Sequence, residues 1–394
     1  MEHAILTGDL VDILPDLESN IFDGVLSDPP YGIGFMGKAW DAALPSDRIL
    51  SELLRVLKPG GHAVFFGSPR THHRLMVALE DAGFEIRDVC MWIYGQGFPK
   101  SRNVSLDLDA ATGYTPKIVG SQKLSGTART AGGRAGTGSE QLAKDEIALK
   151  RATSPAGKLW HGYGTALKPA WEPAIIVRKP LEGTLAQNLA KWGTGAINVD
   201  GCRVGGELTK GHSKPYTRGD HPTYGLGMSA HQSVPHNDGR WPANVLHDGQ
   251  TGSEIIESLE LGAAKFFYAA KVGTKEREAG CKTIAPASTR ATHRREEGSL
   301  GLDNPRAGAA RSSGKHNHHP TLKPLSLTEY FARMITPPGG QASILVPFSG
   351  AGSEMIGALK AGANFVVGIE LDPHYCQIAA ARVAHWCPDS KLSA

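Results

Sequence analysis

Six residues near the N-terminus, Ser27-Asp28-Pro29-Pro30-Tyr31-Gly32, carry the most specific chemistry in the sequence. Two adjacent prolines remove two backbone N–H donors and stiffen the turn. Their carbonyls, with no local helix competing for them, can point into a cleft. Asp28 and the Pro29 carbonyl can then each accept one N–H of a planar amino group, and Tyr31 can stack on the ring that bears it. Such acceptors leave electron density on the amino nitrogen, whose lone pair can attack an electrophilic methyl group. The bland reading is a Pro-rich turn beside a buried aromatic. A carboxylate, a rigid carbonyl and an aromatic ring within four positions favour the chemical reading.

A second constellation lies near the C-terminus, at Phe348-Ser349-Gly350-Ala351-Gly352. The two glycines let backbone approach a ligand closely at a helix N-terminus. An acid, Glu370, follows eighteen residues after Gly352. Placed at a strand end, it would accept hydrogen bonds from two ribose hydroxyls, as in one half of a dinucleotide-binding fold. Position 355 is Met, so the third glycine of the dinucleotide fingerprint is missing. That argues against a pyrophosphate and for a ribosyl ligand without phosphates. A tight turn with a surface glutamate is the competing reading.

The elements that must position these residues alternate at both ends of the chain. The pattern predicts strands at His3–Gly8, Phe22–Ser27, His62–Phe66 and Phe84–Tyr94. Helices are expected at Leu10–Leu17, Ser46–Leu57 (stopped by Lys58-Pro59-Gly60-Gly61) and Thr71–Ala82. The C-terminal end repeats it: a helix at Leu325–Ile335, a strand at Ser343–Val346, a helix at Met355–Ala361, a strand at Asn364–Glu370 and a helix at Pro373–His385. Such alternation argues for an α/β fold, a parallel sheet with helices on its faces. Between them, 101–164 is Gly/Ser-rich, basic and weakly periodic. A strand returns at Ala174–Arg178 and a helix at Thr184–Trp192, after which only brief elements such as Ser253–Leu259 and Lys265–Ala270 are expected.

Composition sets the outer limits. The 394 residues include 48 glycines and 25 prolines, a surplus short of low complexity. With 40% hydrophobic and 21% charged residues, the chain can bury a sizeable core. A net charge of +3 does not by itself identify a nucleic-acid binder. Locally, however, 100–168 carries eleven Lys/Arg against five acids, and 281–323 carries eight against three. Five scattered cysteines with no C-x-x-C pair argue against a disulfide framework or zinc site and for reduced thiols. His316, His318 and His319 lack a nearby Cys or acid pair and read as loop histidines, so no metal is expected. No signal peptide or membrane span is visible.

Asp28-Pro29-Pro30-Tyr31 and the Phe348–Gly352 turn resemble the catalytic and cofactor motifs of amino-group DNA methyltransferases, the adenine-N6 and cytosine-N4 enzymes. The catalytic motif comes first and the cofactor motif last, which resembles the β-type permutation of that family, with target recognition between them. His319-Pro320-Thr321-Leu322-Lys323-Pro324 is similar to the H-P-T-x-K-P segment that opens a helix beside the cofactor's methionine end. Thr7-Gly8-Asp9-Leu10 is similar to the segment that meets the cofactor adenine. The tract from Trp92 to Lys100 and the run from Lys168 to Pro173 are similar to phage and bacterial members. One departure is Val346, which stands where the family usually has an acid that helps hold the cofactor.

The resemblance implies a Rossmann-like methyltransferase sheet with a large loop-rich target-recognition insertion. Residues 1–100 would form the catalytic half, with 165–185 and 317–394 completing the sheet and cofactor site. Residues 101–164 would be a basic insertion and 186–316 the target-recognition region. S-adenosylmethionine is the implied cofactor. It would be held by Asp9, Leu10, Thr321, Lys323, Phe348, Gly350, Gly352 and Glu370, with Lys323 balancing the methionine carboxylate. Asp28, Pro29, Pro30 and Tyr31 would carry catalysis on a base flipped out of double-stranded DNA. Gly32–Leu44, with Phe35 and Trp40, would be a lid. Adenine N6 is the favoured target, cytosine N4 the alternative. A DNA-binding remnant with weakened cofactor affinity, motivated by Val346, and a nicotinamide oxidoreductase also remain open. The resemblance admits a homodimer and a cognate restriction nuclease as partners, and a bacterial or phage-encoded cytoplasmic setting without a membrane.

Overall fold

A computed structural model describes residues 1–34, 39–94, 101–123, 146–204, 239, 241–247, 267–269, 272–286 and 315–393. Among the described residues the strands are β1 (Glu2–Thr7), β2 (Phe22–Ser27), β3 (Leu57–Phe66), β4 (Glu85–Ile93), β5 (Lys117–Lys123), β6 (Glu146–Arg151), β7 (Trp171–Arg178), β8 (Val245–His247), β9 (Phe267–Tyr268), β10 (Ser343–Pro347), β11 (Phe365–Glu370) and β12 (Lys391–Leu392). The helices are α1 (Leu10–Ile13), α2 (Asp47–Val56), α3 (His72–Asp81), α4 (Val104–Ala111), α5 (Pro155–Leu159), α6 (Leu185–Trp192), α7 (Thr274–Glu278), α8 (Leu325–Ile335), α9 (Ser353–Lys360) and α10 (Pro373–Trp386).

Ten strands join in one sheet, in the order β12-β1-β11-β10-β2-β3-β7-β4-β8-β9. Every pairing in it is parallel except those of β7, which runs antiparallel to both β3 and β4. The N-terminal strand β1 pairs with β11, and β2 pairs with β10, so the two ends of the sequence build one sheet. From β10 the chain passes to β11 on one side; from β2 it passes to β3 on the other. The strand order therefore reverses between β10 and β2. In open α/β sheets the crevice at the carboxyl ends of such neighbours is the usual ligand site.

Residues alternating along each strand feed two cores. Leu26, Val64, Phe66, Ile176, Ile344, Val346 and Val366 pack under α8, α9 and α10. Their neighbours Val25, Ala63, Phe65, Ile175, Leu345 and Val367 pack under α1, α2 and α3. Burial on both faces explains why these strands read as near-continuous apolar runs. β2 is buried along its whole length, including Asp23, which accepts from Lys58 Nζ at 2.6 Å and from the Ser343 N–H at 2.8 Å. That carboxylate links β2 to both its neighbours at the edge opposite the crevice.

Local signals explain most helix ends. Ser46 caps α2, accepting from the Ile49 N–H. Thr184 and Gln187 form a capping box on α6, which ends at Gly193 in the left-handed conformation, φ 71°. At Lys58-Pro59-Gly60-Gly61 the helix stops as the sequence predicts, but the chain enters β3 directly rather than through a separate turn. Its register against β2 shifts between Phe22 and Gly24, which absorbs the Pro-Gly step. The 101–164 segment contains more order than its composition suggests: α4, the antiparallel β5–β6 pair and α5. Asp109 on α4 anchors them by accepting from the Thr153 and Ser154 N–H groups at 2.8 and 3.0 Å.

All five cysteines are buried and free. No described helix is long and apolar enough to cross a membrane. The expected Ser253–Leu259 element, the 95–100 and 287–314 tracts, and the middle of the Gly32–Leu44 lid lie outside the described residues.

Candidate active site

β2 delivers Asp28 to the crevice, and β10 delivers the Phe348–Gly352 turn beside it. Ser27 Oγ donates to the Pro347 carbonyl at 3.4 Å, so the two strand ends touch. The Asp28 carboxylate accepts on both oxygens: from Tyr31 OH at 2.8 Å on Oδ1 and from Lys323 Nζ at 2.6 Å on Oδ2. Lys323 Nζ also donates to Tyr31 OH at 2.9 Å, closing a ring of three groups. Tyr31 is fixed along its backbone too. Its N–H and that of Gly32 donate to Asp41 Oδ1, and its carbonyl accepts from Thr71 Oγ1 at 2.7 Å. Burial and the neighbouring Asp28 and Glu172 charges push the Tyr31 phenol well above its ordinary pKa, so it stays a donor to Asp28.

Lys323 precedes α8 and is almost fully buried. Burial alone would discharge it. The Asp28 and Glu172 carboxylates outweigh that penalty and raise its pKa, so the ammonium persists. Glu172 Oε2 lies 3.6 Å from Lys323 Nζ, while its Oε1 accepts from Tyr94 OH at 3.0 Å. Glu172 reaches this edge because β7 runs backwards: the start of an antiparallel strand lies level with the ends of its parallel neighbours.

The other side of the crevice is built for close backbone approach. Phe348, Gly350 and Gly352 take φ values of 58°, 49° and 75°, a left-handed residue at every second position. At Phe348, a non-glycine residue, this conformation stores strain, which functional loops commonly carry. A Cβ added at Gly350 would stand 2.7 Å from His319 Nε2. Burial lowers the His319 pKa to about 4 and keeps the ring neutral; its Nδ1–H donates to the Thr321 carbonyl at 2.5 Å, which leaves Nε2 as an acceptor over the loop. From behind, buried Arg382 on α10 donates to the Ala351 carbonyl at 2.5 Å and to Ser353 Oγ at 3.1 Å.

Glu370, at the end of β11, accepts the Gly350 N–H on Oε2 at 2.8 Å and the Asp372 N–H on Oε1 at 2.9 Å. Each oxygen keeps a second lone pair, which matches two ribose hydroxyls. Asp9 caps α1 through Oδ1, accepting from the Val11 N–H at 3.0 Å, and the Gly8 N–H donates to the Glu370 carbonyl at 3.0 Å. Leu10 is buried beneath the turn.

Asp9, Leu10, Thr321, Phe348, Gly350, Gly352 and Glu370 therefore gather along the carboxyl edge of β1, β11 and β10. Asp28, Pro29, Pro30 and Tyr31 stand at the end of β2. Lys323, expected at the methionine end of a cofactor, has its ammonium on Asp28. Val346 is completely buried in the apolar core, and no carboxylate replaces it on β10. An unforeseen acid, Glu354, lies one turn into α9 and is 4% exposed. Burial and the Asp28 charge raise its pKa to about 7, against the opposing pull of Lys323 and Arg382. The sequence signal for Glu172 was the Trp171-Glu172-Pro173 run before an apolar strand; Glu354, Asp41 and Arg382 carried no comparable signal. Among the described residues no His/Cys/Asp/Glu group could hold a metal ion.

The parallel sheet, the switch-point crevice and an amino-binding turn beside a ribosyl-binding loop define a nucleoside-cofactor enzyme acting on an amine. The sequence matches the N6/N4 DNA methylase family over residues 22–122 and 139–381, and the chain belongs to that family. S-adenosylmethionine is the methyl donor that goes with this membership. The chain is 28% identical over 113 residues to the type II methyltransferase M.HpaI of Haemophilus parainfluenzae, covering 27% of this chain and 36% of that protein. The match thus spans about a third of the curated relative's length. A DNA modification methylase of Thermus thermophilus, solved with S-adenosyl-L-methionine, is 15% identical with 100% of both chains covered and a TM-score of 0.41. The cytosine-N4-specific PvuII DNA methyltransferase is 11% identical, with 97% of this chain and 86% of that one covered, at a TM-score of 0.45.

The residues present fit the cofactor. Ser349 Oγ is buried at the loop without a hydrogen-bond partner among the described residues, Gly350 leaves a cradle that a methyl group would fill, and Glu370 has lone pairs to spare.

Proposed function

We propose that the chain transfers a methyl group from S-adenosylmethionine to the exocyclic amine of a base flipped out of double-stranded DNA, with adenine N6 as the target. The observation that carries this reading is the contact between two strand ends. The Asp28–Tyr31 turn on β2 and the Gly350/Gly352 loop on β10 face one crevice, one built for an amine and the other for a nucleoside.

The chain's part is to bind and aim. Glu370 takes the ribose hydroxyls, Asp9 and Leu10 border the adenine, and Phe348, Gly350, Gly352 and Thr321 line the path between them. The bound cofactor supplies an electrophilic methyl group on a sulfonium. Asp28 and the Pro29 carbonyl accept the two N–H groups of the target amine and leave its lone pair directed at the crevice. Pro30 keeps that carbonyl rigid. Tyr31, held at its N–H, carbonyl and hydroxyl, offers a fixed ring face for the base, a contact worth about 1–3 kcal/mol. The amine sheds one proton after transfer. The Asp28 carboxylate is the adjacent acceptor, so neither a metal nor a covalent enzyme adduct is required of these residues.

Expression in a methylation-free host, followed by digestion of the DNA to nucleosides, tests the reading. N6-methyladenine is expected. N4-methylcytosine would keep the reaction and move the target; unmodified DNA would overturn the proposal. Calorimetry with S-adenosylmethionine and NAD separates the remaining readings. Preferential NAD binding would favour an oxidoreductase, and no binding at millimolar cofactor would favour a DNA-binding remnant.

A further inference from the structure

Lys323 has three ammonium protons and uses two. One goes to Asp28 Oδ2 at 2.6 Å and one to Tyr31 OH at 2.9 Å. Among the described residues the third has no hydrogen-bond acceptor within reach. Glu172 Oε2 stands 3.6 Å off, and the ring centroid of Phe66 lies 4.9 Å away. A buried donor without an acceptor is costly. The side chain is only 5% exposed, so water does little to relieve it. Glu172 draws the ammonium from the far side, and Tyr94 fixes Glu172 in turn.

The pair has a pattern. Asp28 presents an acceptor and Lys323, hydrogen-bonded to it, presents a donor beside it. On the pairing edge of adenine, the amino group is a donor and the adjacent ring nitrogen, N1, is an acceptor. Cytosine shows the same order with N4 and N3. Guanine and thymine carry a proton on the corresponding ring nitrogen, which would confront the ammonium donor to donor. Resting on the function proposed above, we propose that Lys323 donates its third proton to the ring nitrogen next to the target amine. Asp28 and Lys323 together then stand in for the partner base that flipping removes. In this role Lys323 is a base-reading residue, with Glu172 as the positioning residue that keeps its ammonium in place.

The test uses a duplex carrying the methylated site identified in the host experiment, with the target nucleotide replaced by an analogue that has C–H in place of the ring nitrogen. That is 1-deazaadenine for an adenine target and 3-deazacytosine for a cytosine target. Equilibrium binding is measured with S-adenosylhomocysteine present, so altered nucleophilicity of the analogue does not enter. For the wild-type protein the analogue should weaken binding by about 10- to 100-fold, the usual cost of unpairing a buried charged donor. Lys323→Met should bind both duplexes alike, and Lys323→Arg should keep the discrimination. Equal binding of the two duplexes by the wild type overturns the inference, and needs no variant to fold. So does an undiminished analogue penalty in Lys323→Met. If Lys323→Met instead weakens S-adenosylhomocysteine binding and leaves the analogue penalty intact, the lysine serves the cofactor carboxylate. Failure of the underlying function is distinct: neither natural base would be methylated at all.

Discussion

Replacing Glu354 by Gln should change how stability depends on pH. Glu354 sits in the first turn of α9, buried, with Asp28, Tyr31 and Lys323 facing it from one side and Arg382 from the other. Burial, reinforced by the Asp28 charge, raises its pKa from 4.5 to about 7. The sign follows from which state holds the proton longer. In the unfolded chain the carboxyl ionises near 4.5, whereas in the folded protein it keeps its proton to about 7. Between those values folding takes up a proton, so stability falls as pH rises through the window and levels off above it. The gap corresponds to at most about 3 kcal/mol. Glutamine has nearly the same shape and stays neutral. Urea unfolding of the wild type and Glu354→Gln, followed from pH 5 to pH 8, should give similar midpoints at the acid end. The variant should become the more stable at the alkaline end, approaching that limit. Other titrating groups are common to both proteins and largely cancel in the difference. Parallel curves, or a wild type that gains on the variant as pH rises, would refute the placement of a buried, reluctant acid at this position.

Gly350→Ala should lower the melting temperature and weaken cofactor binding by an order of magnitude or more. Its Cβ would press on His319 Nε2 at 2.7 Å, and a left-handed φ of 49° adds about 1–2 kcal/mol of strain. Melting curves and S-adenosylhomocysteine calorimetry check both. Asp28→Ala should abolish methyl transfer to DNA while leaving cofactor affinity within a few-fold; near-normal turnover in a radiolabel assay would remove Asp28 from the mechanism. The same substitution leaves the buried Lys323 cation without its nearest partner and should cost about 3–5 kcal/mol in urea unfolding. Asp23→Ala breaks the buried contact to Lys58 at 2.6 Å, far from the crevice. A comparable loss of stability is expected there, with S-adenosylhomocysteine affinity unchanged in the protein that remains folded.

The sequence made the sheet legible because its strands are short apolar runs separated by capped amphipathic helices. Phe22–Ser27 and Leu325–Ile335 occur with the boundaries their patterns predict, and α2 begins at the serine that signals it. Strand direction was not legible. Nothing local to Trp171–Arg178 says that it runs against its neighbours, and that reversal brings Glu172 to the site. The folded unit within 101–164 was hidden for another reason. Its eight-residue helix and irregular hairpin offer too few turns for a period to emerge, and the tie through Asp109 spans more than forty positions. The motif residues were visible because their chemistry is unusual in sequence. Lys323 shows the limit of that kind of reading: its neighbourhood in the chain points to one partner, and three-dimensional packing supplies Asp28 instead.

The pairing of β2 with β10 has a consequence in time. Ser27 and Pro347, whose contact brings the two halves of the crevice together, are 320 positions apart in the chain. Closing so long a loop is entropically slow, and parallel strands reward it only once their neighbours are in place. During synthesis, the amine-binding turn leaves the ribosome long before the loop it must face. Until β10 inserts beside β2, the chain holds half a crevice and has no chemistry to perform. Methylating competence therefore arrives only with β10 and β11, and a growing chain cannot mark DNA before those strands are in place.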